Sequence, residues 1–240
     1  MSVTSKQHTT DDVYREPLPH VVDFAFDEAV AGVFPDMVRR SVPGYETVIA
    51  LSGLIAARHV RPGSRVYDLG CSLGATTLAL LARIGNTDCE ILAVDNSAAM
   101  LERARAGRQW DPRVTFVLED VCNIDIRDAS VVLANYVVQF VPPAGRTGLL
   151  SRIHSGLRPG GALILSEKLA GDEEFDTVHE DFKRANGYSE LEVSQKRSAL
   201  ENVMVPDTLE AHVERLERAG FAQVSTWFRC LNWASLIAIA

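Results

Sequence analysis

The chain has 240 residues, 47% of them hydrophobic and 23% charged, the balance of an ordinary soluble globular protein with room for one large domain. A formal net charge of -8 argues against a broad nucleic-acid or membrane-binding surface, because both need clustered cations. Cys71, Cys89, Cys122 and Cys230 stand far apart, with no C-x-x-C pair and no matching histidine spacing. That speaks against a zinc site or a disulfide framework and favours a reducing, cytoplasmic compartment.

The first 22 residues are polar, lack an apolar signal region and read as a loose arm before a single domain over 23–240. Helical periodicity follows, broken by Pro35 and by the turn "VPGY" at 42–45. A regular alternation then begins. "SRVYDLG" reads as a strand, "ATTLALLARI" as a helix and "EILAVD" as a strand. "SAAMLERARAGR" is a helix with Ser97 at its N-cap, and "RVTFVLED" and "ASVVLANYV" are strands. "PAGRTGLLSRIHSGL" is a helix stopped by "RPGG", and "ALILSEKL" is a strand. The longest apolar run, "VVLANYVVQFV", is interrupted by Asn135 and Gln139 and is too short to span a bilayer.

A helical insert over 171–204 comes next. "DTLEAHVERLERAG" is a helix capped by Asp207 and closed by Gly220, and "FAQVSTWFRC" and "WASLIAIA" are two strands close enough to pair antiparallel. Strands alternating with helices predict an α/β fold, with a mostly parallel, doubly wound sheet covered on both faces. An N-terminal helical cap and the insert complete it.

In such a sheet a ligand sits past the carboxyl ends of the strands. "YDLGCSLGAT" lies there, with Gly70 and Gly74 bracketing a turn in which backbone approaches a ligand closely. Its G-x-x-x-G spacing departs from a dinucleotide fingerprint and equally suits a plain strand-to-helix turn. Asp95, 25 residues after Gly70, ends the second strand and can accept both hydroxyls of an adenosine ribose, while Asn96 reaches the adenine side. The same two residues could simply cap the next helix. Asp120 can take the exocyclic amine of adenine. Asn135 puts an amide in an apolar strand, where it must find a hydrogen-bond partner. Four polar groups at three successive strand ends, beside the glycine turn that ends the first strand, form one constellation.

"VYDLGCSLG", "AVDNS", "LED", "LANYVVQF" and "LRPGGALILSE", in that order, resemble the motifs of class I S-adenosylmethionine-dependent methyltransferases, whose Rossmann-like fold has a seven-stranded sheet. "FDEAVAGVFPDMVRRSVPGY", "DNSAAM", "GGALILSEK" and "HEDFKRANGYSELEVSQKRSALENV" extend the resemblance to the carboxy-S-adenosyl-L-methionine synthase family, from about residue 23 onward. The resemblance implies transfer of a carboxyl unit from prephenate to the methyl carbon of S-adenosyl-L-methionine, with release of phenylpyruvate. The product, carboxy-S-adenosyl-L-methionine, then serves 5-oxyacetyl uridine formation at the tRNA wobble position by a separate enzyme. Carried over by motif, the ligand contacts are Tyr45, Gly70, Cys71, Ser72, Asp95, Asn96, Asp120, Val121, Asn135 and Arg197. Val121 stands where the family usually has isoleucine, and "LAGDEEFDTVHE" is shorter than the common form.

The resemblance also implies a homodimer in which Arg197 reaches the partner's site as the catalytic clamp, with no direct tRNA binding. A sulfonium ligand alone wants no arginine beside its methyl group, whereas a carboxylated methyl does, and guanidinium meets carboxylate bidentately. From the residues alone, Arg197 could equally be a solvated charge on an amphipathic helix. A conventional methyltransferase and a non-catalytic ligand-binding adaptor are the rival readings. No histidine of the six falls at a strand end in the core site, so no protein base is named.

Overall fold

The computed structural model describes residues 10–240. Its strands are β1 (Ser64–Leu69), β2 (Cys89–Asp95), β3 (Val114–Leu118), β4 (Ala129–Asn135), β5 (Leu157–Lys168), β6 (Gln223–Cys230) and β7 (Trp233–Ile239). They form one sheet in the order β3-β2-β1-β4-β5-β7-β6. The first five run parallel, and β7 pairs antiparallel with both β5 and β6. Alternate residues feed opposite faces, as a strand's period of two requires. Tyr67 and Leu163 join one apolar core, while Val66 and Ile164 join the other. The order reverses between β2-β1 and β4, which opens a crevice above the carboxyl ends of β1 and β4.

The helices are α1 (Glu28–Ser41), α2 (Tyr45–Ala57), α3 (Ala75–Ile84), α4 (Ala98–Gly107), α5 (Pro143–Gly156), α6 (Glu173–Ala185), α7 (Glu190–Leu200) and α8 (Leu209–Arg218). No helix among the described residues is long and apolar enough to cross a membrane. The insert is two helices separated by the "NG" turn at Asn186 and Gly187. Asp172 caps α6, accepting from the Phe175 N–H at 3.1 Å. Ser189 and Glu192 form a reciprocal capping box at the start of α7.

Three expectations need correction. Pro35 does not break the first helix: α1 runs through it, because burial of Val33 and Met37 on its inner face outweighs the lost hydrogen bond. Asp207 does not cap α8. Thr208 does, accepting from the Ala211 N–H at 3.2 Å, while the Asp207 carboxylate is held by Arg146 at 2.5 Å and Arg215 at 2.9 Å.

The loose arm expected over 1–22 is the third. Residues 1–9 lie outside the described residues, but Asp11 and Tyr14 are packed on the body, and the exposed residues between Arg15 and Leu18 are held through their backbone. Asp11 and Tyr14 are buried. The Asp11 N–H donates to the Asp36 carboxylate at 2.8 Å. The Gln195 amide donates to the carbonyls of Tyr14 and Glu16, both at 2.9 Å, and accepts from the Leu18 N–H at 2.7 Å. These bonds satisfy backbone that a sequence pattern leaves apparently free. They strap α7 to α1, so the segment from Asp11 to Leu18 is tied to the helices rather than loose.

Candidate active site

Above the carboxyl ends of the parallel strands lies a cavity of about 1290 Å³, and all ten contacts carried over by motif line it. After β1 the chain turns through Gly70, Ser72 and Gly74 with φ of 63°, 52° and 80°. A Cβ on Gly70 would come within 2.5 Å of the Val137 side chain, so the turn tolerates no larger residue there. The positive φ at Ser72 is strained for a residue with a side chain and is held by its N–H, which donates to Asp95 Oδ2 at 2.8 Å. The other Asp95 oxygen accepts from the Ser97 N–H at 2.9 Å.

Ser97 caps α4 as expected, accepting from the Met100 N–H at 3.1 Å. Asp95 is therefore both a brace for the glycine turn and a cavity wall, and each oxygen keeps capacity for a further donor. Burial raises its carboxyl, while the two backbone N–H groups hold it down. Burial, then the neighbouring Asp68 and Asp95, pushes the Cys71 thiol up, so it is a wall and not a nucleophile. Asn96 is exposed at the edge of the cavity. Asp120 is also exposed and folds back on the Cys122 N–H at 2.7 Å, fixing the loop that carries Val121.

Asn135 ends β4, half-buried, and its amide is anchored as required. Its Oδ1 accepts from Ser166 Oγ at 2.7 Å and Ser52 Oγ at 3.3 Å, and its Nδ2 donates to Thr76 Oγ1 at 3.3 Å. Tyr45 opens α2 and stacks on Tyr136 at 5.9 Å. Burial, then Asp68, raises its phenol, so the hydroxyl stays protonated.

The cationic pair on α7 is split. Lys196 turns inward, with Nζ donating to Ser41 Oγ at 3.0 Å and lying 3.5 Å from Asp11. Arg197 lines the cavity of its own chain, 67% exposed and bonded to Glu180 Oε1 at 2.7 Å.

Several cavity residues escaped the sequence reading. Tyr136 (φ 64°) follows β4, and the turn after it is fixed by Glu167, whose carboxylate accepts from the N–H groups of Val137, Val138 and Gln139 at 3.2, 2.8 and 2.9 Å. Tyr136 meets Trp233 edge-on at 5.4 Å, and Trp233 meets His179 at 5.6 Å. Lys168 ends β5, and Lys183 lies one turn after His179 on α6. The i, i+4 spacing of His179 and Lys183 was the available signal for a shared face. The cavity thus has a carboxylate-and-amide end suited to a nucleoside and an end carrying Lys168, Lys183, Lys196 and Arg197.

A family model described as a methyltransferase domain matches residues 66–161. Among solved structures, human N-acetylserotonin methyltransferase in complex with SAM is similar with a TM-score of 0.60 at 16% identity; the match covers 88% of this chain and 55% of that longer one. A methyltransferase solved with the Haloferax volcanii Trm112 activator gives 0.61 at 18% identity, over 89% and 96% of the two chains. At these identities the likeness establishes the Rossmann-like methyltransferase fold. The carboxy-S-adenosyl-L-methionine synthase of Geobacter sp. (strain M21) is 54% identical over 95% of this chain and 98% of its own. That of Photorhabdus laumondii is 50% identical over 100% and 98%. The chain belongs to the carboxy-S-adenosyl-L-methionine synthase family.

Proposed function

We propose that the chain converts S-adenosyl-L-methionine and prephenate into carboxy-S-adenosyl-L-methionine and phenylpyruvate, in the cytoplasm, for use by a separate enzyme that builds 5-oxyacetyl uridine at the tRNA wobble position. Arg197 on the cavity wall carries the reading, because a methyl-transfer pocket has no use for a guanidinium and a carboxyl-transfer pocket does. S-adenosyl-L-methionine is a substrate here. Asp95, Asn96 and Asp120 bind its nucleoside, the Gly70–Ser72 turn admits it at close range, and Asn135 with Tyr45 borders the reacting carbon.

In the proposed reaction the bond between the prephenate ring carbon and its carboxyl group breaks. Its electrons complete the aromatic ring and expel the ring hydroxide. Hydroxide takes one proton from the methyl group to become water, and the methyl carbon bonds to the freed carboxyl carbon. The residues position, exclude water and stabilise charge, and no protein base is needed. A homodimer in which Arg197 serves the partner's site is part of the proposal, as is the absence of direct contact with tRNA or membrane.

The test is a pair of dissociation constants. Arg197→Ala is expected to leave S-adenosyl-L-methionine binding unchanged and to weaken the carboxylated ligand by about 1.5–3 kcal/mol, the range for a hydrogen bond to a charged group. Arg197→Lys recovers part of it. Equal effects on both ligands, or none, would return the chain to a conventional methyltransferase or a binding adaptor.

A further inference from the structure

The cavity holds more positive charge than one product carboxylate needs. Lys168 is paired with Asp176 at 3.0 Å, Lys196 lies 3.5 Å from Asp11, and Arg197 holds Glu180. Lys183 differs. It lines the cavity half-buried on α6, and among the described residues its amine makes no hydrogen bond or ion pair. Burial first, then Lys196 and Arg197 from α7 and Lys168 from β5, lowers its pKa to about 8, with Glu180 of its own helix opposing them. A partly desolvated lysine pressed by three other cations is costly to keep, and a bound anion removes that cost.

The surroundings narrow the kind of anion. One turn before Lys183, His179 donates from Nε2 to the Ser41 carbonyl at 2.7 Å, and burial pulls its pKa down to about 3, so the ring is neutral. Its ring packs on Trp233, Trp233 on Tyr136, and Tyr136 on Tyr45, and all four line the cavity. The result is an aromatic wall with an unpartnered ammonium beside it. That suits a six-membered carbocycle bearing an anionic arm.

We propose that Lys183 anchors the carboxylate that the donor keeps, the 2-oxo-carboxylate of its pyruvyl arm, with the donor ring against the Trp233–His179 wall. This rests on the prephenate reading above and deepens it by dividing two carboxylates between two helices. The carboxyl group that is transferred goes to Arg197, which the homodimer proposed above supplies from the neighbouring subunit; the one that leaves with phenylpyruvate goes to Lys183 on α6 of the chain that holds the donor. A lysine suits the second task, since a point charge holds an anion without the planar two-point grip that would slow product release.

The test titrates phenylpyruvate, in the presence of S-adenosyl-L-methionine, into the wild-type full chain, Lys183→Met and Lys183→Arg, and measures prephenate turnover for each. Lys183→Met is expected to weaken phenylpyruvate and raise the prephenate KM by about tenfold or more, with S-adenosyl-L-methionine affinity held within about twofold, and Lys183→Arg to recover part of the loss. Wild-type-like phenylpyruvate affinity in Lys183→Met overturns the subsite alone. So does a parallel loss of S-adenosyl-L-methionine, which marks a disturbed fold. Wild-type protein that neither binds phenylpyruvate nor consumes prephenate overturns the donor reading itself.

Discussion

His212 on α8 is fully buried, and both ring nitrogens lack a partner among the described residues. Burial lowers its pKa from 6.5 to about 4, with Arg215 and Arg146 pushing the same way and Asp207 opposing. The folded state therefore favours the neutral ring. The unfolded chain gains a proton first as pH falls, so stability present above about 6.5 is lost on the way down to about 4, by at most about 1.4 kcal/mol per pH unit. His212→Leu is expected to flatten that acid limb. His179 has the same sign and keeps part of the slope. Denaturant midpoints of the two proteins at pH 7 and pH 5 check it, and parallel pH dependence would contradict it.

Among the elements, the strap over residues 11–18 is the one that local patterns hide. Asp11 accepts a hydrogen bond from the Tyr188 hydroxyl and faces Lys196, partners more than 170 residues away. Nothing in "TTDDVYREPLPH" announces them. Asp11→Ala strips the buried Lys196 ammonium of its ion-pair partner and leaves only the more distant Asp36 opposing its burial, so a loss of about 3 kcal/mol in unfolding free energy is expected. Asp11→Asn keeps the shape and isolates the charge. Stability within about 0.5 kcal/mol of wild type in either variant would show that Lys196 neutralises or leaves instead.

The central parallel strands, by contrast, were legible, because both of their faces are buried and their sequences are nearly continuous apolar runs such as Ala129–Ala134. The glycine turn, Asp95 and Asn135 were legible in position for a related reason: each directly follows or ends one of these apolar strands. The cap of α8 was misread because Asp207 and Thr208 both suit that position, and the choice is made by Arg146, which is distant in sequence. Lys168 and Lys183 were missed because the charge they share exists only once β5, α6 and α7 converge.

At the scale of the whole molecule, Arg197 sits on its own chain's cavity wall and is largely exposed, so its service to a partner's site needs a test of its own. Asp95→Ala spoils the nucleoside site and Arg197→Ala the clamp, and each alone is expected to be nearly inactive. An equal mixture of the two regains roughly a quarter of wild-type activity if the clamp crosses the interface, since half the dimers are mixed and each has one intact site. No regain would assign Arg197 to its own chain.

The central claim, carboxyl transfer rather than methyl transfer, is met most directly by mass spectrometry of the nucleoside product after the purified full chain is incubated with S-adenosyl-L-methionine and prephenate. The account predicts S-adenosyl-L-methionine heavier by one carboxyl unit, formed in step with phenylpyruvate. Unchanged S-adenosyl-L-methionine, or the demethylated nucleoside of an ordinary methyl transfer, would contradict it.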